Sequence, residues 1–229
     1  MRQNHYLCTR NQNHTVMSRI KLAILDFDGT LGDTTALIVR TTQATIRELG
    51  LPARSDGQCA SMIGLRLVEI PPVLFPEHEI DCDLYAATYR RIFHEFDTDG
   101  DVQLYPNVIE TLKELKKRGI ILTIASSRSR STLIKYIENL GMADIISYVL
   151  GADDVKEGKP HPEGIIKTLE KFGIPADQAV MVGDTIFDIE MGINAFTKTC
   201  GVTYGNGSRA SLSKADWLID DFSQLEDLV

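Results

Sequence analysis

The sequence lacks the features that mark secreted, membrane-spanning or nucleic-acid-binding proteins. Its four cysteines are scattered over 229 residues and form no CxxC pair, which argues against a disulfide framework or a zinc site. No apolar stretch approaches the roughly 20 residues that span a bilayer. The formal net charge of −8 argues against a general nucleic-acid binder, because such proteins carry a basic surface. These absences predict a cytoplasmic protein with free thiols, no membrane association and no nucleic-acid partner.

Residues 1–19 form a polar N-terminal extension without the apolar core of a secretory signal. A start of translation at Met17 is an alternative interpretation of this segment. Apolar residues make up 43% of the chain and charged residues 24%, as in an ordinary globular protein. The length suits one domain, or a core domain with a modest insertion.

Beyond residue 106, short apolar runs alternate with stretches of helical period. Strands are predicted at residues 120–125, 145–150, 179–182 and 199–203, of which the first is buried and the last has a weak signal. Helices are predicted at residues 108–118, 129–140, 161–172 and 186–195. Together with an apolar run that begins at Leu22, this alternation predicts an α/β fold with a doubly wound parallel sheet.

A helical section separates the first strand from this alternating part. Residues 34–49 have a helical pattern that begins after Asp33, a predicted N-cap, and ends at Gly50. Residues 51–100 contain amphipathic stretches and no strong strand. Three prolines are predicted to break helices there: Pro71, Pro72 and Pro76. The acidic residues 97–101 resemble the opening of a calcium loop, but their spacing favours a solvated linker.

Four groups of polar residues follow predicted strands or begin the next helix. Because the carboxyl ends of parallel strands meet at one edge of a sheet, we expect these groups to lie close together. They are Asp26 with Asp28, Ser126 with Ser127 and Arg128, Lys159, and Asp184 with Asp188. So many carboxylates at strand ends are unfavourable unless a cation is near.

These residue types together predict a site for phosphoryl transfer. A carboxylate can act as nucleophile and form an acyl phosphate, and a neighbouring acid can protonate the leaving oxygen and then activate water. A hydroxyl and an ammonium can hold the phosphoryl oxygens. Hard oxygen ligands suit Mg²⁺ better than zinc. Each group alone could equally be a tight turn, a helix cap or a surface charge, but their coincidence at one sheet edge favours a site.

The order of these motifs, Asp-Phe-Asp-Gly-Thr, then Ser, Lys-Pro and Gly-Asp-x-x-x-Asp, resembles the haloacid dehalogenase superfamily. Within it, the chain is most similar to phosphatases with a small helical cap of the C1 type, such as phosphoglycolate phosphatases. The resemblance covers nearly all of residues 20–229. It implies a core domain of residues 20–33 and 103–229, and a cap segment of residues 34–102.

The resemblance also implies a role for each motif residue. Asp26 would be the nucleophile and Asp28 the general acid and base. Ser126 and Lys159 would bind the transferring phosphoryl group. Mg²⁺ would be held by the Asp26 side chain, the Asp28 main-chain carbonyl and the Asp184 side chain. The implied activity is a phosphoric monoester hydrolase that acts through a phospho-aspartate.

Five further residues have predicted supporting roles, some from the same resemblance and some from their position beside Ser126. Asp188 would support the metal through water or by orienting the motif lysine, and the Gly29 backbone amide would help to cradle phosphate. Ser127 and Arg128 are candidate substrate-binding residues. Arg66 lies in a Gly-Leu-Arg-Leu stretch similar to the Gly-Leu-Pro-Leu cap loop of phosphoglycolate phosphatases. Its guanidinium could pair with a second anionic group of the substrate, or it could be a solvated cap arginine.

The expected partner is a small phosphorylated metabolite, with phosphoglycolate as the first candidate. Pyrophosphate, sugar phosphates and nucleoside monophosphates are alternatives. Asp28 argues against a dehalogenase, which lacks this acid. Apolar residues 37–39 stand where phosphoglucomutase-like relatives carry a histidine, which weakens the mutase alternative. A regulatory protein on a retired phosphatase fold would lack a catalytic residue, and none is missing. Monomer and homodimer both remain open.

Overall fold

The computed structural model describes residues 20–97 and 102–229, and the statements below concern these residues. The predicted N-terminal extension and most of the predicted acidic linker lie outside them. The strands are β1 (Leu22–Leu25), β2 (Gly32–Asp33), β3 (Gln103–Leu104), β4 (Ile121–Ala125), β5 (Tyr148–Leu150), β6 (Ala179–Gly183), β7 (Lys198–Val202) and β8 (Trp217–Ile219). The α-helices are α1 (Thr35–Glu48), α2 (Asp56–Ala60), α3 (Ile70–Leu74), α4 (Cys82–Phe96), α5 (Val108–Lys117), α6 (Arg130–Asn139), α7 (Glu163–Phe172) and α8 (Ile186–Asn194).

Six parallel strands form the central sheet in the order β5-β4-β1-β6-β7-β8. In the middle of it, Leu25 of β1 lies opposite Ile124 of β4 and Val182 of β6. Strands β4 and β5 lie on one side of β1, and strands β6, β7 and β8 lie on the other. The strand order therefore reverses beside β1. Ligands of open α/β sheets bind beyond the carboxyl ends of the strands at such a reversal. The sheet confirms the predicted doubly wound α/β class and brings the ends of β1, β4 and β6 together.

Alternate residues of β1 pack into hydrophobic clusters on opposite faces of the sheet, because successive side chains of a strand point to opposite sides. Ala23 and Leu25 belong to a cluster with α5 and α6. Leu22 and Ile24 belong to a second cluster with α7 and α8. A strand covered on both faces has to be continuously apolar, as β1 is. The two layers fix the position of the acidic residues that follow β1.

The cap segment leaves and re-enters the core at a two-stranded ribbon, where Gly32 lies opposite Leu104 and Asp33 opposite Gln103. The described residues between β2 and β3 form helices α1 to α4 and a 3₁₀ turn at Leu67–Glu69, without a strand. These elements share a hydrophobic cluster whose buried members are Ile46, Cys59, Ile70, Leu74, Phe75 and Tyr85. The predicted boundaries of the cap at residues 34 and 102 fall beside this ribbon.

Several local predictions were wrong, each for a physical reason. Thr34 rather than Asp33 is the N-cap of α1, because Asp33 is paired in β2. Pro71 and Pro72 lie in the first turn of α3 instead of breaking a helix, since a missing N–H costs nothing there. The strand predicted from residue 145 begins at Tyr148, because the preceding residues hydrogen-bond in a turn. The short edge strand β8 was not predicted.

Cysteine pairing and membrane crossing can be checked within the described residues. Cys59, Cys82 and Cys200 are free thiols, as expected. No described helix combines the length and the apolar character that crossing a bilayer requires.

Candidate active site

Asp26 lies directly beyond β1, at the edge of the sheet where the candidate residues meet. Its backbone N–H donates to the Val182 carbonyl at 2.9 Å, which continues the pairing with β6. Only 2% of the residue is exposed. Burial raises the pKa of the Asp26 carboxyl well above its ordinary value, and the ammonium of Lys159 acts against this rise. The carboxylate is thus held rigidly and depends on nearby positive charge for its ionised form.

Lys159 supplies that charge from the loop before α7. Its Nζ donates to Oδ1 of Asp26 and to Oδ1 of Asp188, both at 2.6 Å, and the side chain is buried. Burial disfavours the ammonium, but the two carboxylates outweigh it and hold the pKa of Lys159 above its ordinary value. Asp188 also accepts from the backbone N–H and hydroxyl of Thr185, which orients it at the start of α8.

Asp184 follows β6 and completes a buried cluster of three acids. Carboxylate oxygens of Asp26, Asp184 and Asp188 lie within 4.8 Å of one another. Burial, and next the charge of Asp188, raise the pKa of Asp184 to about 7, although hydrogen bonds from Asn206 counter the rise. The Thr30 hydroxyl donates to Asp184 at 3.3 Å. The sequence-predicted residues from β1, the lysine loop and β6 therefore do meet at one place.

Asn206 is a site residue that the sequence analysis missed. Its backbone N–H and its side-chain Nδ2 donate to Oδ2 of Asp184 at 2.6 and 2.8 Å. Its Oδ1 accepts from the Thr35 hydroxyl at 3.0 Å, which links this loop to the first turn of the cap segment. The available signal was the Gly-Asn-Gly turn of residues 205–207 after β7, because it follows another strand of the same sheet.

Gly29 contributes space to the site. A Cβ atom there would lie 2.2 Å from Oδ2 of Asp184 and 2.4 Å from Nδ2 of Asn206, and the backbone has φ +83°. The backbone N–H of Gly29 is predicted to help to bind phosphate. In this structure it donates to the Gly32 carbonyl at 2.9 Å. The visible contribution of Gly29 is therefore to let the loop after β1 approach Asp184.

Asp28 points to a different set of partners from Asp26. Arg128 donates to it from both Nη2 and Nε, at 2.6 and 3.1 Å, and the Thr34 hydroxyl donates at 2.7 Å. The guanidinium lies over the ring of Phe93, 4.7 Å from its centroid, and is largely enclosed. Arg128, predicted to bind substrate, is thus paired with the predicted general acid.

Ser126 and Ser127 follow β4 and face different neighbours. Ser126 is buried at the carboxyl edge of the sheet. Its hydroxyl oxygen accepts a hydrogen bond from the backbone N–H of Arg128 at 3.3 Å. The Ser127 hydroxyl donates to the Gly64 carbonyl at 2.5 Å. Ser127 is therefore a contact between the core and the cap loop, in addition to its predicted place in the substrate site.

Arg66 is also engaged by protein groups. Its Nη1 donates to the Lys156 carbonyl of the core at 2.7 Å, and its Nε donates to Glu69 at 2.7 Å. A Cβ atom at Gly158 would lie 2.7 Å from the Arg66 Nε, so this residue covers the core loop closely. The predicted role of Arg66 in substrate binding stays a prediction, and the structure adds a contact between cap and core.

A cavity of about 460 Å³ opens between the cap segment and the sheet edge. Asp26, Asp28 and Ser126 line its core side. Helix α4 and the loop around residues 62–68 line its cap side. The predicted nucleophile and the predicted acid thus face a space that a substrate can enter.

The chain matches the family model for haloacid dehalogenase-like hydrolases over residues 23–202. It belongs to the haloacid dehalogenase-like hydrolase family. This membership confirms the family that the motif order indicated and the expectation of an enzyme. The match includes every sequence-predicted residue of the candidate site and the whole cap segment, whereas Asn206 lies beyond it.

Named relatives of this haloacid dehalogenase-like hydrolase include two kinds of phosphatase. A phosphoglycolate phosphatase of Vibrio parahaemolyticus serotype O3:K6 is 32% identical over 219 residues, with 92% of this chain and 96% of that protein covered. A pyrophosphatase PpaX of Bacillus velezensis is 34% identical over 211 residues, with coverage of 90% and 95%. Among solved structures, a predicted phosphoglycolate phosphatase from Haemophilus somnus 129PT has a TM-score of 0.80 at 27% identity, with coverage of 93% and 99%.

Proposed function

We propose that this hydrolase is a Mg²⁺-dependent phosphatase that hydrolyses a small phosphomonoester through a phospho-aspartate on Asp26. The observation that carries the proposal is the buried Asp26 carboxylate, 2.6 Å from the Lys159 ammonium and facing the cavity. A buried nucleophile with a fixed cation beside it suits attack on an anionic phosphoryl group.

The residues present fit a divalent metal ion. When ionised, the three clustered acids and Lys159 together carry two net negative charges, which a divalent cation would balance. Donors that are all oxygen suit Mg²⁺. Asp26, Asp184 and the Asp28 carbonyl are the proposed ligands, and Asp188 supports them by orienting Lys159. When bound, Mg²⁺ would polarise the phosphoryl group and reduce its repulsion from the acids.

The proposed reaction uses the chain's own groups in two steps. The Asp26 carboxylate attacks phosphorus while the bond to the leaving oxygen breaks, and Asp28 gives that oxygen a proton. Asp28 then takes a proton from water, whose oxygen attacks phosphorus and releases phosphate and Asp26. Ser126 and Lys159 hold the phosphoryl oxygens during both steps. For its first step, Asp28 has to carry a proton, so its pairing with Arg128 in this structure has to loosen.

Phosphoglycolate is the first substrate to test, because relatives that share about a third of the sequence are phosphoglycolate phosphatases. Pyrophosphate is the second, because other relatives at similar identity are named pyrophosphatase PpaX. Sugar phosphates and nucleoside monophosphates complete the panel. Dependence on a bisphosphate activator would instead indicate a phosphomutase.

The deciding experiment measures phosphate release from this panel with Mg²⁺ and with EDTA. We expect turnover only with the metal, and none for Asp26→Asn, because an amide cannot act as the nucleophile. Asp216→Asn is the matched control, since Asp216 pairs with Lys198 away from the site and should leave the rate unchanged. Full activity of Asp26→Asn, or no turnover of any substrate by the wild type, would refute the proposal.

A further inference from the structure

The cavity above Asp26 is larger than the smallest candidate substrates require. Its volume of about 460 Å³ lies within the range of about 300–1,000 Å³ in which proteins bind drug-sized organic ligands. Phosphoglycolate, a phosphate ester of a two-carbon acid, would leave most of this space to water. The volume of the cavity therefore points to a substrate whose leaving group has a larger organic part, called its body below.

The cap side of the cavity is apolar. Helix α1, the loop before α3 and helix α4 contribute aliphatic and aromatic side chains, among them Ile38, Met62, Ile63, Val68 and Phe93. Water against such walls is unfavourable, and an apolar group that displaces it is stabilised. A substrate that consists only of two small anions cannot use these walls, whereas an apolar body can.

The same cavity also has one arginine, Arg90, that has no protein partner among the described residues. Arg90 and His94 lie one helical turn apart on α4, are exposed and line the cavity. Neither makes a hydrogen bond or an ion pair with any other residue that the structure describes. The other arginines at this cavity are neutralised, Arg66 by Glu69 and Arg128 by Asp28. Arg90 is therefore the guanidinium that a ligand can reach without displacing a protein carboxylate.

We propose that the preferred substrate is a phosphomonoester whose leaving group has an apolar body and a second anionic group, and that Arg90 binds this second anion. This inference rests on the proposed phosphatase function and specifies its substrate class. An arginine binds a carboxylate or phosphate through paired hydrogen bonds. The phosphoryl group would lie at Asp26, the body against the apolar cap wall, and the second anion at the mouth.

Three phosphate esters of primary alcohols test the proposal: phosphoglycolate, benzyl phosphate and 4-carboxybenzyl phosphate. Benzyl phosphate has the body without the second anion, and phosphoglycolate has a carboxylate without the body. We expect the wild type to have its highest kcat/KM on 4-carboxybenzyl phosphate, by at least about tenfold over either of the others. The Arg90→Gln variant should lose about tenfold on that substrate and little on benzyl phosphate.

Arg91→Gln is the matched control. Arg91 is the next residue of α4, but it pairs with Glu48 and Glu95 and does not line the cavity. Its loss should affect all three substrates equally. A second variant, Val68→Phe, narrows the cavity and should lower kcat/KM by a larger factor for the two benzyl esters than for phosphoglycolate, while its circular dichroism spectrum reports correct folding.

The outcomes separate this inference from the proposed function. If phosphoglycolate is the best substrate and Arg90→Gln lowers all three rates equally, the inference is overturned although the phosphatase function stands. If none of the esters and no other phosphomonoester is hydrolysed, the proposed function itself has failed.

Discussion

Lys159 lies between two carboxylates that would otherwise repel each other, one after β1 and one in the first turn of α8. It donates to Asp26 and Asp188 at 2.6 Å from a buried position. In such an environment two acids without a cation are strongly unfavourable, because burial has removed the water that would solvate them. The residue that is proposed to bind phosphate therefore also stabilises the fold.

Replacing Lys159 should reveal its contribution to the stability of the fold. Lys159→Met should lower the free energy of unfolding by about 3–5 kcal/mol in EDTA, because it leaves buried charges without a partner. Urea denaturation measures this loss. Lys198→Met is the control, since Lys198 pairs with Asp216 at the surface and should contribute only about 0–1 kcal/mol. Equal, small losses for both variants would contradict the buried-charge argument.

Asp184 should make the stability of the metal-free protein depend on pH. Burial and the charge of Asp188 raise its pKa from 3.8 to about 7, so the folded chain holds a proton that the unfolded chain releases. Between about pH 4 and about pH 7 the free energy of unfolding should therefore fall as pH rises. Urea denaturation in EDTA across this range should show the decline, and Asp184→Asn should reduce it. Stability that rises over the same range in EDTA, with no change in Asp184→Asn, would oppose this account.

At the scale of elements, the loops after β1 and β7 meet over Asp184. The loop after β1 turns at Gly29, with φ +83°, and the loop after β7 brings Asn206 to the same carboxylate. The two loops fit only because no Cβ projects from Gly29. This close approach, together with the positive φ, explains glycine at this position.

Alanine substitutions at two glycines with nearly equal φ should separate the cost of backbone strain from the cost of steric crowding at the site. Gly119 has φ +85° and would meet nothing within 4 Å, so Gly119→Ala should cost about 1–2 kcal/mol of stability and leave activity intact. Gly29→Ala should cost more and abolish activity, because its methyl group displaces Asp184 or Asn206. Thermal unfolding and phosphate release measure the two effects. Retained activity in Gly29→Ala would show that the loops can shift apart.

At the scale of the whole molecule, the cap segment contacts the core through polar and apolar side chains. Tyr89 and Phe93 of α4 are buried in the same hydrophobic cluster as core residues of β1 and α6. The Ser127 hydroxyl donates to the Gly64 carbonyl, and Arg66 donates to the Lys156 carbonyl. Both contacts join the cap loop to loops at the carboxyl edge of the sheet. These contacts hold residues 64 and 66 of the cap segment beside the carboxyl edge of the sheet.

Arg66→Ala distinguishes a cap contact from a substrate contact. Because its guanidinium is already bound by Glu69 and the core, we expect the variant to raise KM by a similar factor for every phosphomonoester. Steady-state kinetics with phosphoglycolate and benzyl phosphate measure this. A selective loss on phosphoglycolate would instead support the predicted binding of a second anion by Arg66.

Local patterns in the chain were sufficient to predict the α/β class, most strand ends and the family. Those conclusions depend on local signals: apolar runs such as Leu22–Leu25, helical periods, and acids directly after strands. The site residues Asp26, Lys159 and Asp184 could be named because their spacing matches a known motif order. Asn206 has only the weaker signal of a Gly-Asn-Gly turn, and strand β8 has no such signal, so both were missed.

The pairing of the charges, in contrast, depends on the folded chain and follows from no local pattern. Arg128 and Asp28 are 100 residues apart and Arg66 and Lys156 are 90 apart, so no periodicity or spacing reports their contact. In the sequence, Arg90 resembles any charged surface residue of an amphipathic helix. The fold shows that it lines the cavity. The sequence shows which residues are charged. Which of these charges remain free to bind a ligand depends on contacts between residues that are distant in the sequence.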